Sequence, residues 1–113
     1  MDKNALASRY TFEFYDGTTC ELTLSFIALK RLASTNKSLY ERCQKVLAHG
    51  AKDELDTLSV LYGAYHCANI GGEGLMSEDE FIEKCGWDRQ NVMAALEALT
   101  SAKKQKASAD RSR

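Results

Sequence analysis

The stretch that decides the fold is RYTFEFYDGTTCELTL, residues 9–24. Tyr10, Phe12 and Phe14 alternate with Thr11 and Glu13, and beyond Asp16-Gly17 the residues Cys20, Leu22 and Leu24 alternate with Thr19, Glu21 and Thr23. Period-two patterning on both sides of an Asp-Gly predicts a β-hairpin over 10–24. Its register follows from the rule that residues directly opposite one another share a face. A two-residue turn at Asp16-Gly17 would set Phe14 against Thr19 and Phe12 against Glu21, mixing the faces. A three-residue loop, Tyr15-Asp16-Gly17 with Gly17 left-handed, pairs Phe12 with Cys20, Thr11 with Glu21 and Tyr10 with Leu22. That register keeps one face apolar and is the one predicted. Two strands alone are marginal, so the apolar face needs a partner layer.

The rest of the chain reads as helices. In 26–35, Phe26, Leu29, Leu32 and Ala33 fall at helical spacing behind Ser25 as cap. A second helix, 38–49, opens with Ser38 and Glu41 as a capping box, carries Leu39, Cys43, Val46 and Leu47, and stops at Gly50. A third, 53–69, begins with acids at the positive end of the helix dipole. Its face of Leu55, Leu58, Leu61, Tyr62, Tyr65 and Ala68 is the most apolar, so this helix is predicted to be central. The glycines at 71, 72 and 74 follow it. A short helix, 78–85, has Ser77 and Glu80 as a capping box, Met76 and Phe81 as a hydrophobic staple, and Gly86 as its end. The last, 89–102, has Asp88 as cap, Trp87 and Val92 as staple, and Val92, Met93, Leu96 and Leu99 as stripe.

These elements predict an α+β fold, mainly α, with the N-terminal hairpin packed on a compact bundle of four to five helices. Residues 1–8 lack periodicity and are expected to be flexible, 9–101 form a single domain, and 102–113 form a disordered basic tail low in apolar residues. The chain has 113 residues, 44% hydrophobic and 27% charged, with net charge −1. Those values suit one globular domain and give no global pull towards nucleic acid or anionic membrane. No apolar run reaches the roughly 20 residues of a membrane span, and residues 1–10 do not form a signal peptide. A cytoplasmic location is therefore expected, and with it reduced thiols at Cys20, Cys43, Cys67 and Cys85.

Few residues suggest chemistry. His66 and Cys67 are adjacent, but neighbours on a helix point about 100° apart and do not form a dyad by themselves. His49 sits at a predicted helix end, where an imidazole can meet the last carbonyls. The four cysteines show no zinc spacing. The acids at 53, 54 and 56, and at 78, 79 and 80, lie in first helical turns, where caps and dipole account for them. The glycine run has no following Gly-Lys-Ser/Thr. No catalytic, cofactor or metal site is predicted, and no enzyme. Tyr40, Val60, Tyr62 and Tyr65 fall partly outside one narrow helix stripe. Either they remain at the surface as a protein-binding patch, with Tyr40, Tyr62 and Tyr65 as its contacts, or the hairpin covers them.

The order of elements also carries a resemblance. YTFEFYDGTTCELTLSFIALKRL, then DTLSVLYGAYHCAN with Leu61, Tyr62, Ala64 and Tyr65, then SEDEFIEKCGWD, a last helix and a lysine-rich end resemble the tail assembly chaperones of long-tailed phages and prophages of Gram-positive bacteria. The resemblance spans residues 9 to 105 and consists of packing patterns, so it transfers no functional residue. It implies a non-enzymatic assembly factor without cofactor, acting in the host cytoplasm and absent from the mature virion. Its implied partners are the tape measure protein, kept soluble, and the tail tube protein, recruited to it, with self-association possible for the hairpin edge. It also implies a longer product made by frameshifting, for which codons of Lys103-Lys104-Gln105-Lys106 would suit slippage. The alternative function is a small nucleic-acid-binding regulator using the last helix and basic tail, with affinity falling steeply in salt.

Overall fold

The computed structural model describes residues 9–70 and 72–112, with side chains described as far as Thr100. The hairpin forms as expected. Strand β1 (Arg9–Glu13) pairs antiparallel with β2 (Thr19–Thr23), with Tyr10 opposite Leu22, Thr11 opposite Glu21 and Phe12 opposite Cys20. Phe14 N–H donates to Thr18 O at 2.7 Å and Gly17 N–H to Phe14 O at 3.0 Å, closing a loop of residues 15–17. Gly17 takes φ +91°, a left-handed conformation that disfavours any side chain.

Five helices follow: α1 (Phe26–Thr35), α2 (Lys37–His49), α3 (Glu54–Ala68), α4 (Glu78–Cys85) and α5 (Arg89–Ser112). Their starts are set by side chains that accept from otherwise orphaned N–H groups. Ala28 N–H donates to Ser25 Oγ, Asp56 N–H to Asp53 Oδ1, Glu80 N–H to Ser77 Oγ and Asn91 N–H to Asp88 Oδ1. At α2 the expectation fails. The cap is Asn36, whose Oδ1 accepts from Leu39 N–H at 3.2 Å, and Ser38 lies inside the first turn. Asparagine two residues earlier is an equally strong cap and wins the position.

The α5 backbone is helical through Ser112, past the predicted end at 102 and into the segment expected to be a disordered tail. Ala, Lys and Gln fill 102–107 and favour helix intrinsically, so no apolar stripe is required there. The expected flexible residues 1–8 and Gly71 lie outside the described residues.

Helix α3 is central, as its composition predicts. It lies against β2, α1, α2, α4 and α5 and buries residues around its whole circumference, including Thr57, Leu58, Val60, Leu61, Ala64 and Cys67. Gly63 explains how close α2 comes, because a Cβ there would collide with Cys43 Sγ. The hairpin's apolar face meets α4 through rings: Phe81 lies 6.3 Å from Phe12, stacked, and 5.5 Å from Phe14, edge-on. Tyr15 N–H donates to Lys84 O at 3.1 Å, and Asn91 Nδ2 to Glu13 O at 2.8 Å, tying β1 and its turn to α4 and α5. Arg42 on α2 grips the Glu78 carboxylate with both guanidinium nitrogens, at 2.8 and 3.0 Å. That bidentate pair holds the Glu78 carboxyl below its usual range.

Candidate protein-binding site

Tyr62 and Tyr65, two of the three predicted contacts, are inside. They are 8% and 6% exposed, and their rings lie 5.5 Å from Phe81. Their hydroxyls hold one peptide unit pair: Tyr62 OH donates to Met76 O at 2.9 Å, and Met76 N–H donates to Tyr65 OH at 3.0 Å. Buried tyrosine needs such partners, and here they pin the segment entering α4 onto α3. Of the two alternatives, exposure or cover, these two rings are covered, by α4 and the segment that enters it. Tyr40 is half-buried against the core edge. The structure therefore does not bring the three tyrosines together as a surface.

His66 and Cys67 point apart as the helix requires. The His66 ring packs edge-on against Tyr62 at 4.7 Å, its Nε2 is buried without a hydrogen-bond partner among the described residues, and burial pushes its pKa down. Burial raises the thiols too: Cys20 and Cys67 to about 12, Cys43 and Cys85 to about 11. All four are therefore protonated near neutral pH and weak nucleophiles. Among the described residues no three His, Cys, Asp or Glu side chains come together as a metal would require, and no helix is long and apolar enough to cross a membrane.

The apolar surface lies elsewhere, on Phe26, Leu55 and Trp87, which the sequence assigns to stripes and a staple, and on Ile27, which it assigns to none. Trp87 is 81% exposed, Phe26 79%, Leu55 62% and Ile27 52%. Trp87 does not close a staple on Val92. Its ring instead lies under the Arg89 guanidinium, 4.5 Å from the ring centre. Gly86, at φ +65°, turns the chain sharply at the end of α4, and a Cβ there would press on the Tyr15 ring at 3.1 Å. That turn throws Trp87 outward. Leu55 occupies the first turn of α3, one turn before buried Leu58, and no neighbouring element among the described residues covers it.

Leu55 and Trp87 are the walls of an open cleft of about 260 Å³ between the start of α3, the end of α4 and the start of α5. Leu58, Ile82, Cys85 and Val92 form its floor, and Glu54, Asp88 and Arg89 its polar rim. Glu54 Oε2 lies 3.0 Å from Arg89 Nε, a bond across one end. An apolar floor with few charges at the rim has the composition of protein-binding grooves. One sequence signal was present for it: Leu55 sits between Glu54 and Asp56, and Trp87 between Gly86 and Asp88, so each is an apolar residue in an element end rich in caps and charges.

No protein-family model, no curated protein and no solved structure matches this chain.

Proposed function

We propose that the chain is a phage tail assembly chaperone: it binds the tape measure protein, keeps it soluble and helps recruit tail tube subunits, acting in the host cytoplasm and leaving before the virion matures. The reading rests on the resemblance of residues 9 to 105 and on one structural observation that supports it, the open apolar cleft walled by Leu55 and Trp87. A long helical client exposes apolar stripes before it is packaged. A groove between helix ends can cover such a stripe reversibly, with apolar residues of the client spaced at i, i+3 or i+4 entering it. The chemistry required is burial and release, with no covalent step.

The test is to find a tape measure gene near the one for this chain, as the reading requires, and to co-express the two products. The client is expected to stay soluble and to co-purify with the wild type, and to be lost to the pellet with the Leu55→Asp/Trp87→Ala double variant. Deleting residues 102–113 should leave client solubility intact. A client that precipitates equally with and without the wild-type chain overturns the reading. Nucleic-acid affinity that disappears with residues 102–113 would replace it with the regulator.

A further inference from the structure

Charge is strongly segregated along the folded chain. Residues 26–52, which contain α1 and α2, carry six Lys and Arg against one Glu, whereas residues 53–89, from the α3 cap to the start of α5, carry nine Asp and Glu against one Lys and one Arg. Every residue lining the cleft except Val92 lies in the acidic part. Helix α1 lies wholly in the basic part, and it presents a stripe with the complementary pattern. Ala28, Leu29 and Leu32 face the core. Phe26 and Ile27 face outward, and one turn later come Lys30 and Arg31, both exposed and neither in an ion pair among the described residues. Two apolar side chains followed by two cations match an apolar slot whose rim carries two acids, Glu54 and Asp88, against one cation, Arg89, which pairs with Glu54. Helix α1 does not line the cleft of its own chain, so the match can be made only between molecules.

We propose that α1 of one copy docks into the Leu55–Trp87 cleft of a second copy. Ile27 and Phe26 enter between the apolar walls, and Lys30 and Arg31 reach Glu54 and Asp88. The two surfaces differ, so the contact is heterologous: each molecule gives α1 to one neighbour and its cleft to another, and the arrangement closes into a ring or runs on as a filament. This assembly is independent of the chaperone reading, because it needs only copies of this chain. Where a client is present, an apolar client helix competes with the neighbour's α1 for one cleft. The attraction between the charged groups sets orientation and weakens with salt, while the apolar pair supplies most of the binding.

A heterologous contact has a signature that a symmetric dimer lacks. Sedimentation velocity of the wild type should show self-association that rises with concentration and falls with added salt. Trp87 is the chain's one tryptophan, so its emission should shift to the blue as the oligomer forms. Ile27→Asp and Leu55→Asp change exposed residues on the two sides and should each be monomeric alone, with association weakened on the order of tenfold or more. Mixed, they should form a one-to-one dimer, because the first retains an intact cleft and the second an intact α1. The Lys30→Glu/Arg31→Glu variant gives a second route to the monomer without touching an apolar residue, and circular dichroism checks the fold of each. A wild type that is monomeric throughout overturns the proposal. So does an oligomer that survives these changes, or a mixture of the two folded variants that remains monomeric.

Discussion

The two ends of helix α3 carry the same kind of residue to opposite fates. Towards its C-terminus Tyr62 and Tyr65 are sealed under Phe81 and the Met76 backbone. At its N-terminus Leu55 stands 62% exposed beside the still more exposed Trp87. Helix propensity and apolar character do not separate the two ends. What separates them is the position of the elements that follow. The chain leaving α3 folds back over the tyrosines, and the hydroxyls fit that chain's peptide groups. Helix α4 then ends at Gly86, whose left-handed turn carries Trp87 away from the body and leaves the Leu55 end uncovered. Stability is thus concentrated at one end of α3 and accessible surface at the other.

The sharpest way to break this contrast is to empty the sealed end. Phe81 is fully buried and touches Phe12, Phe14, Tyr62 and Tyr65 through its ring. Phe81→Ala removes the ring that joins the hairpin to α3, and the loss should be about 3–5 kcal/mol in urea unfolding. For a domain whose total stability is on the order of 5–15 kcal/mol, that is enough to leave the variant partly unfolded at 37 °C. A loss below about 1 kcal/mol would mean that the hairpin is held by something other than the aromatic cluster.

A smaller and pH-dependent effect belongs to His66, at the same sealed end. Its pKa is lowered by burial in the folded chain, while in the unfolded chain it stays near 6.5. Between those two values the unfolded state binds more protons, so stability rises with pH across that interval. The contribution is complete above about pH 6.5 and is lost as pH falls through the folded value. Unfolding free energy measured at pH steps from about 7.5 downward should therefore decline below pH 6.5 in the wild type. In His66→Phe, which keeps the ring packing against Tyr62 and Tyr65, that part of the decline should be absent. Equal slopes in the two proteins would show that the imidazole reaches water freely.

The hairpin was legible because its evidence is local. Alternation, an Asp-Gly and the requirement that faces match fix Phe12 opposite Cys20 with no reference to the rest of the chain. Helices α1 and α4 were legible down to their ends for the same reason: Ser25 and Ser77 cap them, and each is short enough to be bounded by its own signals. The open cleft was not legible, because exposure is decided between elements. Leu55 and Phe26 sit at helical spacing with residues that are buried, and periodicity assigns them to the same stripe. Only the arrangement of α4 and α5 shows that the stripe runs past the edge of its neighbours. The tyrosines were left open between surface and core for a related reason. A helix surrounded by partners has no narrow buried stripe, so residues off the stripe of α3 are not thereby at the surface.

The open end gives the smallest stability effect and the clearest separation of fold from binding. Trp87 loses little water-exposed area on folding, and among the described residues the Arg89 guanidinium lies above its ring. An exposed cation–π contact contributes about 0.5–1 kcal/mol, part of which Arg89 recovers through Glu54. Trp87→Ala should therefore change unfolding free energy by no more than about 0.5 kcal/mol. Its effect on association should be much larger, because an aromatic wall of an apolar cleft is the kind of residue that dominates an interface. The comparison needs both measurements on one sample: a thermal melt at low concentration, where the chain is monomeric, and sedimentation at high concentration. Loss of association with an unchanged melt assigns Trp87 to the interface alone. A melt lowered as far as that of Phe81→Ala would place the ring in the core and erase the distinction between the two ends of α3.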